Sequence, residues 1–123
     1  MKLHQALTAG INLFTAYGEG YVAVNHEHHS SNLIVLPQRL IPGWTTACFD
    51  ALTSDDMVPL HHLGCQIILL GTGPRLRFPS PVLLKPFAEA GIGVEIMDLQ
   101  AACRTYNILA AEGRQVAAAL LFN

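Results

Sequence analysis

Five side chains in this sequence could act together on an anion. Thr72, Arg75 and Arg77 follow the apolar run Ile67 to Leu70, and Asp98 and Arg104 follow the run Gly93 to Met97. Strands of a parallel sheet bring their C-terminal ends, and the N-termini of the helices that follow, to one edge. Helix N-termini offer free N–H groups to an anion, and arginine forks match carboxylate or phosphate. The chemistry these residues could support is binding of an anion or small molecule at Thr72, Arg75, Arg77, Asp98 and Arg104. The plainer reading, that Asp98 caps its own helix and pairs with a nearby arginine, is favoured.

Gly71-Thr72-Gly73 stands at a strand end, where nucleotide-binding loops also occur. A dinucleotide fingerprint needs three glycines running straight into a helix. Leu76 occupies the third place, and Pro74 and Pro79 delay the helix to about Pro81. No Gly-Lys-Ser/Thr follows, so a P-loop is excluded as well.

The remaining reactive residues form no coherent set. His26 and His28 would share one face of a strand, a spacing that can hold a metal. No third ligand is evident, so exposed loop histidines and no metal site are expected. His61 and His62 suit the negative end of a helix. Cys103 falls on an apolar helical stripe and reads as a core thiol. Ser30, Ser31 and Asp50 lack the elbow that a hydrolase triad requires. No cofactor is expected, and a non-enzymatic role is favoured over an enzyme.

The elements that position these residues follow from pattern. The stretch NLFTAYGEGYVAVN predicts a hairpin, with Phe14 and Ala16 inward and the turn at Gly18-Glu19-Gly20. HHSSNLIVLP predicts a strand stopped by Pro37, and Gln38 to Leu52 has no period and reads as irregular. Thr53 and the acids Asp55 and Asp56 mark a helix start. Pro59 argues for a start nearer Asp56, which places it in the tolerant first turn. Ile67 to Leu70 and Gly93 to Met97 read as buried strands. Ser80-Pro81 and Asp98 begin the next two helices. In the last helix Leu99, Ala102, Cys103, Tyr106 and Ala110 share one face, with Ile108 opposite them. Val116 to Phe122 closes as a strand.

The order is three strands and then α-β-α-β-α-β. It predicts an α/β domain spanning 1–123, with a parallel βαβ core and right-handed crossovers.

Composition narrows the partners. The chain has 123 residues, 51% hydrophobic and 13% charged, with a formal net charge of -2. Scattered basic residues supply no field for nucleic acid. Low charge leaves room for a homodimer or a protein-partner interface. No run approaches the ~20 apolar residues of a membrane span, so no membrane insertion is expected. The N-terminal MKLHQALTAGINLF reads as mature protein, not a signal peptide. Three separated cysteines suggest reduced thiols in a cytosol.

Four segments together resemble a known family: FTAYGEGYVAVN, SSNLIVLP, LLGTGPRLRFP and GIGVEIMDLQAACRTYNILAAEGRQVAAALL. The specific parts are Gly71, Thr72, Gly73, Arg75 and Pro79, and then Ala102, Arg104, Thr105, Tyr106 and Asn107. The chain is similar, over about 14–121, to the Mth-domain family of unknown function. That family includes a mitochondrial complex I assembly factor and the adipogenesis-associated Mth domain-containing protein. The resemblance implies a three-layer α/β fold whose mixed central sheet has one antiparallel strand. It implies no enzyme activity. By analogy it suggests a protein-interaction or assembly module, here bacterial and cytoplasmic for want of a mitochondrial targeting segment. The alternative is an anion- or small-molecule-binding protein or enzyme using Thr72, Arg75, Asp98 and Arg104.

Overall fold

The computed structural model describes residues 10–123. The reading of the extreme N-terminus as mature protein lies largely outside them. Strands β1 (Phe14–Gly18), β2 (Tyr21–Val24) and β3 (Glu27–His29) form an antiparallel sheet. Strands β4 (Leu33–Leu36), β5 (Arg39–Pro42), β6 (Ile67–Gly71), β7 (Gly93–Met97) and β8 (Val116–Leu120) form a second sheet in the order β5-β4-β8-β6-β7. β6 pairs in parallel with both β7 and β8, whereas β4 pairs antiparallel with β8 and β5. One strand of five, β4, therefore runs against the rest, as the resemblance implied.

Among the described residues three α-helices complete the layers: α1 (Ser54–His61), α2 (Pro81–Glu89) and α3 (Leu99–Ala111). Alternation along the central strands sends side chains to two cores. Leu33, Val35, Leu69, Val116, Ala118 and Leu120 meet α3 and the small sheet. Ile34, Leu36, Ile68, Leu70, Ala117 and Ala119 meet Met57 and Leu60 of α1 and Phe87 of α2. Full burial of Met57, Leu60 and Phe87 contributes roughly 1.5–3 kcal/mol each. The His61 ring stacks on Phe87 at 3.8 Å and ties α1 to α2.

Local chemistry sets the helix ends. Ser80 Oγ accepts from Val82 N at 3.4 Å, with Pro81 at the first helical position. Asp98 Oδ1 accepts from Ala101 N at 2.8 Å. All five residues expected on the inner face of α3 are buried, and Ile108 is exposed.

Five expectations need correction. The segment read as irregular contains β5, which folds back on β4 across a Pro37-Gln38 turn, and a single 3-10 turn at Phe49–Ala51. Pro37 ends β4 without preventing that pairing. The histidine segment is β3, joined to β2 by Asn25 and His26, whose φ values of 47° and 72° suit a two-residue hairpin turn. A bulge between Phe14 and Ala16 breaks the expected alternation, so Phe14 is buried and Ala16 exposed. Among the described residues β7 is an edge strand paired only with β6, and Gly93 and Glu95 are exposed rather than buried. Finally α1 starts at Ser54 and holds Pro59 inside, because Asp56 fixes the early start by accepting from Thr53 N at 2.8 Å and Thr53 Oγ1 at 2.9 Å.

Candidate functional site

The parallel strands do bring the glycine loop and the start of α3 to one edge. Met97 O accepts from Thr72 N at 2.8 Å, and Gly73 O accepts from Leu99 N at 2.9 Å. The two glycines serve packing. A Cβ on Gly71 would lie 2.9 Å from Leu120 Cδ2 and 3.2 Å from Ala102 Cβ, so its absence lets α3 settle on β6. Gly73 turns the chain with φ of 94°.

A cleft of about 700 Å³ opens at this edge. Gly18, Glu19 and Gly20 of the hairpin turn form one rim, and Gly73 and Pro74 another. Asp98, Leu99, Gln100 and Arg104 of α3, with Phe122, supply the rest. Of the five residues expected here, Asp98 and Arg104 line the cleft. Asp98 does so while capping its own helix.

The other three lie elsewhere on the loop. Thr72 is fully buried; its Oγ1 donates to Arg75 O at 2.7 Å and accepts from Arg77 N at 3.1 Å. Arg77 Nη2 donates to Thr72 O at 2.8 Å, and the guanidinium lies 4.5 Å from the Phe49 ring centroid and 3.9 Å from Asp50 Oδ2. Both side chains brace the loop. Arg75 is exposed and does not line the cleft.

The helix terminus itself is largely occupied. Leu99 N and Ala101 N already donate to Gly73 O and Asp98 Oδ1, which removes two of the N–H groups an anion would use. Charge recognition in the cleft therefore falls to Arg104, Glu19 and Asp98. Sequence reasoning missed Glu19, Gln100 and Phe122. A charged residue at the tip of a Gly-Glu-Gly turn was the available signal for Glu19, but only the docking of the small sheet on α3 brings it here. Cys103, next to Arg104 in sequence, is fully buried in the core and does not line the cleft, and burial pushes its thiol up to about 12.

The histidines of β3 are held locally. Glu27 Oε1 lies 3.2 Å from His29 Nε2, and His28 stacks on Tyr21 at 5.0 Å. Among the described residues, no three of the metal-ligating types converge.

Residues 14–121 match the family described as Protein of unknown function (DUF498/DUF598). The chain belongs to this family. The chain is similar to a Bordetella parapertussis protein of known structure, 37% identical with TM-score 0.85, covering 94% of this chain and 98% of that one. A Bordetella pertussis protein described as a Mth938-like domain is 32% identical with TM-score 0.78, covering 92% and 87%. A Bartonella henselae structure described as an outer membrane protein is 29% identical with TM-score 0.78, covering 92% and 96%. Among curated relatives, the bovine (Bos taurus) NADH dehydrogenase (ubiquinone) 1 alpha subcomplex assembly factor 3 is 30% identical over 108 residues. That match covers 86% of this chain but only 58% of the bovine protein. Among the described residues, no helix is long and apolar enough to cross a membrane.

Proposed function

We propose that the protein is a non-enzymatic assembly module. In this reading it acts in the bacterial cytoplasm and holds a subunit of a respiratory NADH dehydrogenase-type complex during assembly. The observation that carries the reading is the exposure of three large apolar side chains on the segment leading from β6 into α2. Leu76, Phe78 and Val82 are 49%, 72% and 71% exposed. Clustered large apolar side chains in water mark interaction surfaces.

The chemistry of the partner follows from the charges around that face. Within the chain segment itself no Asp or Glu occurs from Met57 to Ala88, Arg75 and Lys85 are exposed there, and the nearby acid Asp50 is drawn to Arg77 at 3.9 Å. The fitting partner is a protein with an apolar pocket or helix stripe flanked by acids. Pro74, Pro79 and Pro81, together with the bonds of Thr72 and Arg77, hold the segment in one shape. That lowers the ordering cost of binding. The name of the bovine relative supports the same role.

A photocrosslinking residue at Val82, used in living cells, tests this. The expected adduct is a subunit of a respiratory complex, lost when Phe78→Asp is added. Adducts with lipid, with a second copy of this chain, or unchanged by Phe78→Asp would overturn the reading.

A further inference from the structure

The cleft at the end of β6 shares none of its lining with the Leu76–Phe78–Val82 face, so it poses a separate question. We propose that it binds a small zwitterion of the amino-acid class, with the carboxylate on Arg104 and the ammonium on Glu19.

Size sets the first limit. About 700 Å³ suits a small organic molecule and far exceeds what an inorganic anion fills. Charge sets the second. Arg104 and Glu19 both line the cleft, both are exposed, and neither makes an ion pair among the described residues. Arginine's fork pairs two N–H groups with a carboxylate. Asp98 adds a second negative group, so one guanidinium stands with two carboxylates. A polyphosphate would meet that lining at an electrostatic cost, because its charge exceeds what Arg104 alone offsets. A simple monocarboxylate would satisfy Arg104 and leave Glu19 unpaired. A molecule carrying both charges satisfies both side chains.

The rest of the lining suits such a molecule. Leu99, Phe122 and Pro74 give an apolar wall for its side chain, and Gln100 offers an amide. Gly18 and Gly20 keep the hairpin rim free of side chains beside Glu19. With the α3 N-terminus closed by Gly73 and Asp98, Arg104 is the cation among the described lining residues that would read the carboxylate.

The test is an NMR titration of the full chain with three matched sets. These are free amino acids, the primary amines with the same side chains, and the corresponding monocarboxylates. The expected result is amide shifts at Gly18 to Gly20, Gly73 and Leu99 to Arg104 with at least one amino acid, and weaker or no shifts with its amine and acid. Arg104→Gln should abolish them. Glu19→Gln should erase the preference for the amino acid over the monocarboxylate. Gln100→Trp, which fills the cleft from an exposed helical position, should block all binding while the spectrum stays folded. No localised shift with any amino acid at millimolar concentration would overturn the proposal. So would shifts that survive Arg104→Gln, or monocarboxylates that bind as well as amino acids. None of these outcomes alters crosslinking at Val82, so the two readings stand or fall separately.

Discussion

Asn107 holds Phe14 by both of its backbone polar groups. Its Oδ1 accepts from Phe14 N at 2.8 Å, and its Nδ2 donates to Phe14 O at 2.8 Å. One side-chain amide thus pairs with Phe14 as a neighbouring strand would, and the small sheet is fastened to α3. Asn107→Ala leaves both backbone groups of Phe14 without that partner. The expected cost is about 2 kcal/mol, measured by urea unfolding. Amide exchange should speed up in β1 and β2 well before it does in β6 or β8. Uniform loss of protection across both sheets would count against this fastening role.

Arg77 and Arg104 should behave oppositely. Arg77 bonds Thr72 O, stacks on Phe49 and sits mostly covered, with a side chain 19% exposed. Arg77→Ala should destabilise the fold by about 1–2 kcal/mol. Arg77→Lys should recover little, since an ammonium cannot reproduce the stacked fork. Arg104→Gln should leave the melting temperature nearly unchanged. Paired thermal melts distinguish the two, and equal losses would contradict the assignment of Arg77 to the loop and Arg104 to the cleft.

Asp56 gives the fold an acid-sensitive joint. Its carboxylate accepts from Thr45 Oγ1 at 2.7 Å and from Thr53 N at 2.8 Å. These bonds, the one from Thr45 foremost, hold its pKa below the ordinary value of 3.8. The unfolded chain therefore takes up the proton first as pH falls. The stabilisation is complete above the ordinary value and disappears as pH drops through the lowered one. Asp56→Asn should remove this share of the acid dependence, so that the stability curves of the two proteins converge in strong acid. Parallel curves down to that limit would show that Asp56 is not the group responsible.

Thiol chemistry should select one cysteine of three. Cys48 is exposed, while Cys65 and Cys103 are buried. Burial raises Cys65 and takes Cys103 to about 12. A thiol reagent at mildly alkaline pH should modify Cys48 quickly and the other two only on unfolding. Quick labelling of Cys103, located by peptide mapping, would mean that α3 opens readily.

Gly71→Ala should strain the contact between α3 and β6. The added carbon would lie 3.2 Å from Ala102 Cβ and 3.4 Å from Leu99 Cα, so relief requires moving the helix. A loss of about 1–3 kcal/mol is expected in chemical denaturation. A neutral effect would show that Leu120 alone absorbs the change.

Much of this architecture could be read from the residues. Capping at Ser80 and Asp98 and the stripe from Leu99 to Ala110 are local signals, and each fell where expected. β3 and β5 were missed because each is a short edge segment of three or four residues with no clear alternation. Pro59 misled because a favourable cap at Thr53 outweighs one missing hydrogen bond. The strand-end rule points to the edge where Asp98 and Arg104 line the cleft. It could not foresee that Thr72 and Arg77 would be consumed by their own loop, nor that a hairpin far away in sequence would contribute Glu19. Those depend on tertiary packing, which leaves no periodic trace.

β8 lies at the centre of its sheet although it is the last strand of the described chain. On a ribosome, β4 with β5 and β6 with β7 emerge as two unjoined ribbons. Each keeps an apolar edge open until Val116 to Leu120 arrives to join them. Until then both cores are incomplete, because Val116, Ala118 and Leu120 belong to one and Ala117 and Ala119 to the other. A nascent chain halted before Val116 therefore presents sticky half-sheets to chaperones and proteases, and the arrival of one small-residue strand conceals them from quality control.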